Sequence, residues 1–333
     1  MTSTYNLKDS YGRKITYLRL SVTDRCNLRC FYCMPQAKFN WMPPEAILKY
    51  EEILQIVRVL ASLGITKVRL TGGEPLVRRD IVSLIEKIGK TKGIEKIALT
   101  TNGVFLKEVA KDLFDVGLRH INISLDTLRP ERFLEITGSD QFSKVFDAID
   151  TCIKIGFSPI KINFVMMKGK NDDELINFAK LTKNWPVEVR FIEFMPIGSL
   201  SKWGKEYFFS SDKAKMIIKE AFGKLKAIQQ TKNSGPAELF KIPGALGNIG
   251  FISPLSHKFC SSCNRIRIRA DGTLRLCLFS DLEISLRDIV RVGISDENLA
   301  QLFLKAISKK PATYIQGSKE IPSCKQQMSS IGG

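Results

Sequence analysis

Hydrophobic and polar residues alternate with period two in six short runs, Tyr17–Val22, Lys67–Thr71, Lys96–Thr101, His120–Leu125, Lys161–Val165 and Val187–Glu193. This alternation marks β-strands, whose successive side chains point to opposite faces. Between the runs, apolar residues recur at helical spacing over Tyr50–Leu63, Ile81–Lys90, Leu106–Val116, Lys144–Ile155 and Asp172–Lys183. Strands alternating with amphipathic helices predict a parallel sheet with helices outside, closed or partly closed into a barrel. Six such units are fewer than the eight of a complete barrel.

The two faces of these strands differ. Leu18, Leu20 and Val22 oppose Tyr17, Arg19 and Ser21, and Val68 and Leu70 oppose Lys67, Arg69 and Thr71. Ile121, Ile123 and Leu125 oppose His120, Asn122, Ser124 and Asp126, and Ile160, Ile162 and Phe164 oppose Lys161 and Asn163. A parallel strand covered on both faces is apolar nearly throughout, and a packed barrel interior is filled with branched apolar side chains. One polar, cationic face per strand predicts a cavity for a polar, anionic ligand. A salt-bridged surface sheet is the alternative, and the repetition over four strands counts against it.

After Glu193 the pattern breaks at Phe194-Met-Pro-Ile-Gly-Ser, and Asn233-Ser-Gly-Pro marks a loop. The expected organisation is a barrel over residues 1–230 and a mixed C-terminal segment over 231–333. The 333 residues, 44% hydrophobic and 26% charged, suffice for a large core. No apolar run approaches the roughly 20 residues needed to span a bilayer. The first residues lack the apolar core of a signal peptide, so the expected location is cytoplasmic, without a membrane partner. A formal net charge of +17 is the usual footprint of nucleic-acid binding. Many lysines, such as Lys87, Lys90, Lys92 and Lys96, are instead expected on solvated helix faces, and the informative cations are those inside strands. No nucleic-acid partner is expected.

Six of the eight cysteines form two triplets. Cys26, Cys30 and Cys33 follow the first strand on one short loop. Three thiolates can hold three irons of a [4Fe–4S] cluster and leave one iron open to a small molecule. A zinc loop would need a fourth ligand nearby, and no His or Cys follows until His120. The second strand ends in Thr71-Gly72-Gly73-Glu74-Pro75, whose glycines permit close backbone approach to a ligand. The third ends in Thr100-Thr101-Asn102-Gly103 and the fourth at Ser124-Leu125-Asp126, which suit either ligand binding or helix capping.

The second triplet is Cys260-Ser-Ser-Cys263 and, after 13 residues, Cys277. Between them Arg265, Arg267 and Arg269 share one face of a strand, and Asp271-Gly272 turns the chain back. His257 could complete a Cys₃His zinc site, so from spacing alone zinc and a second iron–sulfur cluster both stand. Cys152 sits in an apolar helical pattern as a core residue, and Cys324 is assigned no role.

The spacing of Cys26, Cys30 and Cys33, the aromatic Tyr32 and the Gly72-Gly73 segment resemble the radical S-adenosylmethionine enzymes. With the second triplet, the Asn264–Arg269 segment and the terminal Gly332-Gly333, the whole chain resembles the GTP 3′,8-cyclases of molybdenum cofactor biosynthesis. The resemblance implies a partial TIM-type β/α barrel of about six units with a C-terminal closing segment. It implies two [4Fe–4S] clusters, on Cys26, Cys30 and Cys33 and on Cys260, Cys263 and Cys277, and tips the second triplet away from zinc.

It further implies S-adenosylmethionine contacts at Tyr32, Gly73, Ser124 and Met195. GTP contacts are implied at Arg19, Arg69, Thr100, Lys161, Arg190, Arg265 and Arg267, with Arg265, Arg267, Gly332 and Gly333 serving catalysis. The implied reaction uses a 5′-deoxyadenosyl radical to remove the ribose C3′ hydrogen of GTP, after which C3′ attacks C8. A homodimer, a reducing compartment and a downstream cyclic pyranopterin monophosphate synthase follow from the same resemblance; the electron donor does not. The competing readings are a peptide-modifying radical enzyme with an auxiliary cluster, and a basic metalloprotein that binds nucleic acid.

Overall fold

The structure, a computed structural model, describes residues 7–34, 40–198, 203–229, 235–280, 282–314, 324 and 326–332. The six alternating runs form β1 (Tyr17–Ser21), β2 (Lys67–Thr71), β3 (Lys96–Thr101), β4 (His120–Ser124), β5 (Ile160–Met166) and β6 (Val187–Glu193). Each pairs in parallel with the next.

Helices α1 (Tyr50–Ser62), α2 (Ile81–Gly89), α3 (Leu106–Asp115), α4 (Pro130–Thr137), α5 (Phe142–Ile155) and α6 (Leu175–Asn184) make the crossovers. The run expected over Asp172–Lys183 divides into a 3₁₀ turn at Asp172–Glu174 and α6. Helix α4 has no counterpart in the hydrophobic pattern. Its signal is Pro130 in the first turn and Gly138 at the left-handed C-terminal position.

The C-terminal segment extends the same sheet at both sides. After α7 (Ser211–Phe222) come β7 (Lys226–Ala227), β8 (Glu238–Lys241) and β9 (Asn248–Ile252), with β9 parallel to β6. Then β10 (Arg265–Ile268) returns across the molecule to lie parallel to β1, followed by β11 (Thr273–Arg275) and β12 (Glu283–Ser285). The order is β12-β11-β10-β1-β2-β3-β4-β5-β6-β9-β8-β7, an open sheet with eight consecutive parallel strands at its centre and antiparallel edges. Helices α8 (Arg287–Arg291), α9 (Asp296–Ile307) and α10 (Met328–Ile331) complete the chain.

The core lies between sheet and helices. Leu18, Leu20, Val68, Leu70, Ile121, Ile123, Ile160 and Ile162 are wholly buried with Ile53, Ile56, Ile85, Leu113 and Ile149 of the helices. Burying each such side chain contributes about 1.5–3 kcal/mol, which pins the register and turns the polar faces inward. Cys152 is part of this core.

Candidate active site

Register sets the inner surface. Arg267, Arg19 and Arg69 lie abreast on β10, β1 and β2, and Thr100, Asn122, Lys161 and Glu188 lie abreast on β3 to β6. Tyr17, Arg19, Arg69, Asn122, Lys161, Asn163, Arg190, Arg265 and Arg267 line one cavity of about 210 Å³, together with Met195, Cys260, Cys263 and Cys277. Like charges directly opposite each other on neighbouring strands repel, so this row of guanidinium groups is stable only with anionic company.

Part of that company is internal. Glu188 accepts from Arg190 Nε at 2.5 Å and meets Lys161 Nζ at 3.3 Å. Tyr17 Oη accepts from Arg69 Nε at 2.7 Å, and Arg69 Nη1 donates to the Leu99 carbonyl at 3.1 Å and Thr100 Oγ1 at 3.2 Å. Burial alone would push the Tyr17 phenol up, but the charges of Arg69, Arg19, Lys67 and Arg265 outweigh it and bring it to about 7. Burial, with help from Arg190 and against Glu188, lowers Lys161 to about 8. Arg19 Nε, Asn122 Oδ1 and Asn163 Oδ1 are buried without a hydrogen-bond partner. Each such group costs about 1–3 kcal/mol unless something meets it, and all three side chains line the cavity.

Cys26, Cys30 and Cys33 follow the C-terminal end of β1. Burial raises all three thiols, Cys26 to about 11 and Cys33 to about 12, and the proximity of Cys26 and Cys33 raises Cys30 further. Thiols held so firmly protonated ionise only with a cationic centre among them, which an iron–sulfur cluster would supply. The loop is held on both sides. Gly73 N donates to the Thr23 carbonyl and Glu74 N to the Arg25 carbonyl, both at 2.8 Å, while Arg29 N and Phe31 N donate to Thr137 and Ile136.

A Cβ on Gly73 would stand 2.3 Å from the Arg25 carbonyl oxygen, and one on Gly72 would stand 2.5 Å from that of Thr23. The close approach that these glycines permit is therefore to the cysteine loop itself, where the sequence pointed to a ligand. Tyr32 Oη donates to Asp126 at 2.5 Å, and the other Asp126 oxygen accepts from Val165 N at 2.8 Å. Asp126 is thus engaged by protein, while Ser124 stands half-buried at the end of β4.

The second triplet lies at the opposite strand ends. Cys260 and Cys263 precede β10, which runs parallel to β1, and Cys277 follows the antiparallel β11. At about 3.3 Å per strand residue, the two triplets are separated by roughly 15 Å of sheet. Burial pushes Cys263 up, but Arg265 and Lys310 outweigh it and bring the thiol to about 7. The zinc arrangement is not formed: His257 Nε2 lies 2.8 Å from Asp212 on exposed surface. Among the described residues no three His, Cys, Asp or Glu side chains converge on a single-ion site. A cluster spreads its irons over a cube and requires no such convergence. Arg269 lies just past β10 and pairs with Asp271 at 3.1 Å and Glu283 at 3.2 Å, so only Arg265 and Arg267 of the three face the cavity.

The tail reaches between the triplets. Cys324 is buried, pairs with Ile197 and receives a hydrogen bond from Arg275, so it anchors the segment ahead of α10. The backbone N–H of Ser329 hydrogen-bonds the Cys33 thiol, and the Gly332 carbonyl accepts from Arg267 Nη1 at 2.8 Å. Gly333 lies outside the described residues. Sequence reading missed Tyr17, Lys67 and Glu188 as site residues, although all three occupy inward positions on predicted strands.

Residues 20–182 match the radical SAM superfamily, and residues 187–316 match Molybdenum Cofactor Synthesis C. The GTP 3′,8-cyclase of Thermodesulfovibrio yellowstonii is 48% identical over 98% of this chain and 100% of its own. That of Petrotoga mobilis is 46% identical over 98% and 99%. Among solved structures, Streptococcus suis SuiB bound to S-adenosylmethionine superposes with a TM-score of 0.60 at 16% identity, covering 87% of this chain and 68% of that one. That likeness bears out the partial barrel. No helix among the described residues is long and apolar enough to cross a membrane. With a cationic cavity lined by the second cysteine triplet, a first triplet at the far end of the neighbouring strand β1 and near-full-length identity of this order, the chain belongs to the GTP 3′,8-cyclase family of the radical SAM superfamily.

Proposed function

We propose that this chain cyclises GTP to (8S)-3′,8-cyclo-7,8-dihydroguanosine 5′-triphosphate, the first step of molybdenum cofactor biosynthesis. The observation that carries the reading is the cavity lined by Arg19, Arg69, Lys161, Arg190, Arg265 and Arg267 beside Cys260, Cys263 and Cys277. Cys26, Cys30 and Cys33 would hold one [4Fe–4S] cluster, with Tyr32, Gly73, Ser124 and Met195 around S-adenosylmethionine. Cys260, Cys263 and Cys277 would hold the second, beside the guanine base. The chemistry supplied at the first cluster removes the ribose C3′ hydrogen, so that C3′ can join C8.

The protein's own task is to bind, orient and keep water out. Arg19, Arg69, Lys161 and Arg190 neutralise the triphosphate, the arginines through planar forks that match phosphate oxygens. Thr100 and Tyr17 hold the Arg69 fork, which leaves its remaining nitrogen for the ligand. Arg265 and Arg267 stand between the base and the tail, where Gly332 brings no side chain to the substrate, and catalysis would need Gly332 and Gly333. Fixing C3′ and C8 within bonding reach supplies much of the acceleration. Residues 1–230 act as the barrel and 231–333 as the segment that brings the second cluster and the tail. A homodimer that passes its product to cyclic pyranopterin monophosphate synthase completes the reading.

The test is 5′-deoxyadenosine formation by anaerobically reconstituted protein with S-adenosylmethionine and a reductant. Strong stimulation by GTP and not by ATP, with the cyclised product, is expected. Cleavage indifferent to GTP would overturn the cyclase assignment and leave the radical class standing.

A further inference from the structure

Two buried cations from remote parts of the chain close on the second triplet, and the cavity reading uses neither. Arg13 lies in a short hairpin ahead of β1, with Nε held by Asp9 at 2.5 Å. Its Nη1 donates to the Cys260 carbonyl at 2.7 Å and the Ala312 carbonyl at 3.0 Å, and Nη2 donates to Pro311 at 2.6 Å. Lys310, three residues past α9 and 2% exposed, donates Nζ to the carbonyls of Arg265, at 2.9 Å, and Leu276.

The three carbonyls near the triplet follow its cysteines one for one. They belong to Cys260 itself, to Arg265 two residues past Cys263, and to Leu276 immediately before Cys277. The strand that leaves the triplet and the strand that returns to it are thereby tied together through one ammonium group.

A neutral donor could make the same hydrogen bonds. Burying a charge costs several kcal/mol unless an opposite charge meets it. Among the described residues no carboxylate pairs with Lys310; its electrostatic neighbours are the thiols of Cys263 and Cys277 and the cations Arg13 and Arg265, and of these only the thiols can carry the opposite charge. The positive charge therefore faces the thiols.

We propose that Lys310 and Arg13 are positioning residues for the second triplet: both hold its cysteine-bearing backbone in place, and Lys310, whose charge no carboxylate meets, supplies the positive charge that an anionic, three-thiolate iron–sulfur centre needs there, while Arg13 keeps Asp9 neutralised beside it. This rests on the two-cluster reading above. Such a centre gains a further negative charge on reduction, and fixed cations nearby favour the reduced state. Removing one lowers the reduction potential of that centre and leaves the other, roughly 15 Å away, unchanged.

The experiment is a redox titration, followed by electron paramagnetic resonance, of the reconstituted full-length chain and its Lys310→Met, Lys310→Arg and Arg13→Gln variants, with iron counted per chain. The signal perturbed by S-adenosylmethionine belongs to the first triplet, and the other signal reports the second. Lys310→Met is expected to shift the second midpoint negative by a tenfold change in the reduced-to-oxidised ratio, about 59 mV for one electron. Lys310→Arg should restore most of it, and the first midpoint should not move.

Arg13→Gln, which leaves the ammonium in place, should shift the second midpoint in the same direction by less. It carries the measurement where Lys310→Met assembles too little of the centre to titrate. Unchanged second midpoints, or a first midpoint that moves equally, would overturn the proposal. A wild-type chain that holds the iron of one cluster only would overturn the two-cluster reading itself.

Discussion

The carbonyl of Gly332 accepts a hydrogen bond from Arg267 Nη1 at 2.8 Å, across 65 residues of chain. It places the penultimate residue inside the barrel, against Thr71 and Ser21. Gly332 has φ +75°, and a Cβ there would stand 2.5 Å from Thr71 Oγ1. Left-handed backbone disfavours a residue with a Cβ by about 1–2 kcal/mol, and here the clash is added.

Gly332→Ala should therefore lose at least about tenfold in GTP-dependent product formation, the equivalent of about 1.4 kcal/mol, with iron content unchanged. Gly333→Ala is expected to behave alike. Product formation at the wild-type rate in both variants would remove the tail from the active site.

Gly73→Ala acts elsewhere. The added methyl meets backbone oxygens of Asp24 and Arg25 at 2.5 and 2.3 Å, and neither can rotate away as a side-chain end could. Overpacking of this kind costs about 1–3 kcal/mol, concentrated on the loop that carries Cys26. Iron analysis with spectroscopy should find the first centre depleted and the second retained. A full complement of both would show that the loop can shift.

Raising the pH should weaken GTP binding. Between about pH 7 and pH 9 the Tyr17 phenol, at about 7, loses its proton to become an anion. Over the same interval Lys161, at about 8, loses its charge. The first change adds negative charge and the second removes positive charge among the groups facing the ligand, which include Lys67, Arg69, Arg190 and the acidic Glu188. The KM for GTP should rise by roughly tenfold over that range, since one unit of pKa corresponds to about 1.36 kcal/mol. Tyr17→Phe should remove the lower inflection and Lys161→Arg the upper. Profiles identical to wild type in both variants would sink this account.

Tyr32→Phe deletes the 2.5 Å hydrogen bond to Asp126. Burial already raises the Asp126 carboxyl to about 6, against the hydrogen bonds from Tyr32 and Val165, and without the tyrosine it should rise further. Leaving a buried acceptor short of a donor costs about 1–3 kcal/mol, and a protein of this size should lose a few degrees of melting temperature. Calorimetry on the reconstituted variant checks this, and an unchanged transition would mean that water replaces the phenol.

Much of the architecture was legible locally because each element carries its own periodicity. All six alternating runs became β1 to β6, with ends displaced by a residue or so, since alternation reports which face a side chain takes whatever the partner strand is. The inward cations Arg19, Arg69 and Lys161 were readable for the same reason, and Lys67 and Tyr17 stood on the same predicted faces without being chosen. Cys26, Cys30 and Cys33 could be grouped because one short loop holds them.

What spans the chain was not legible. That β9 and β10 flank the six-stranded core in parallel depends on pairings between residues such as Leu18 and Ile266, and no local pattern encodes them. The engagement of Gly73 with the cysteine loop, of His257 with Asp212 and of Glu188 with Arg190 was likewise decided by packing.

By itself, then, the sequence determined the strand–helix alternation, the polar inner faces and the two thiol triplets, because these are properties of near neighbours. Only the tertiary structure decided that the triplets stand at opposite ends of the paired strands β1 and β10, with Gly332 held against Arg267 of β10. Strand direction and register, set by burial of the apolar faces, carry distant residues to the same place.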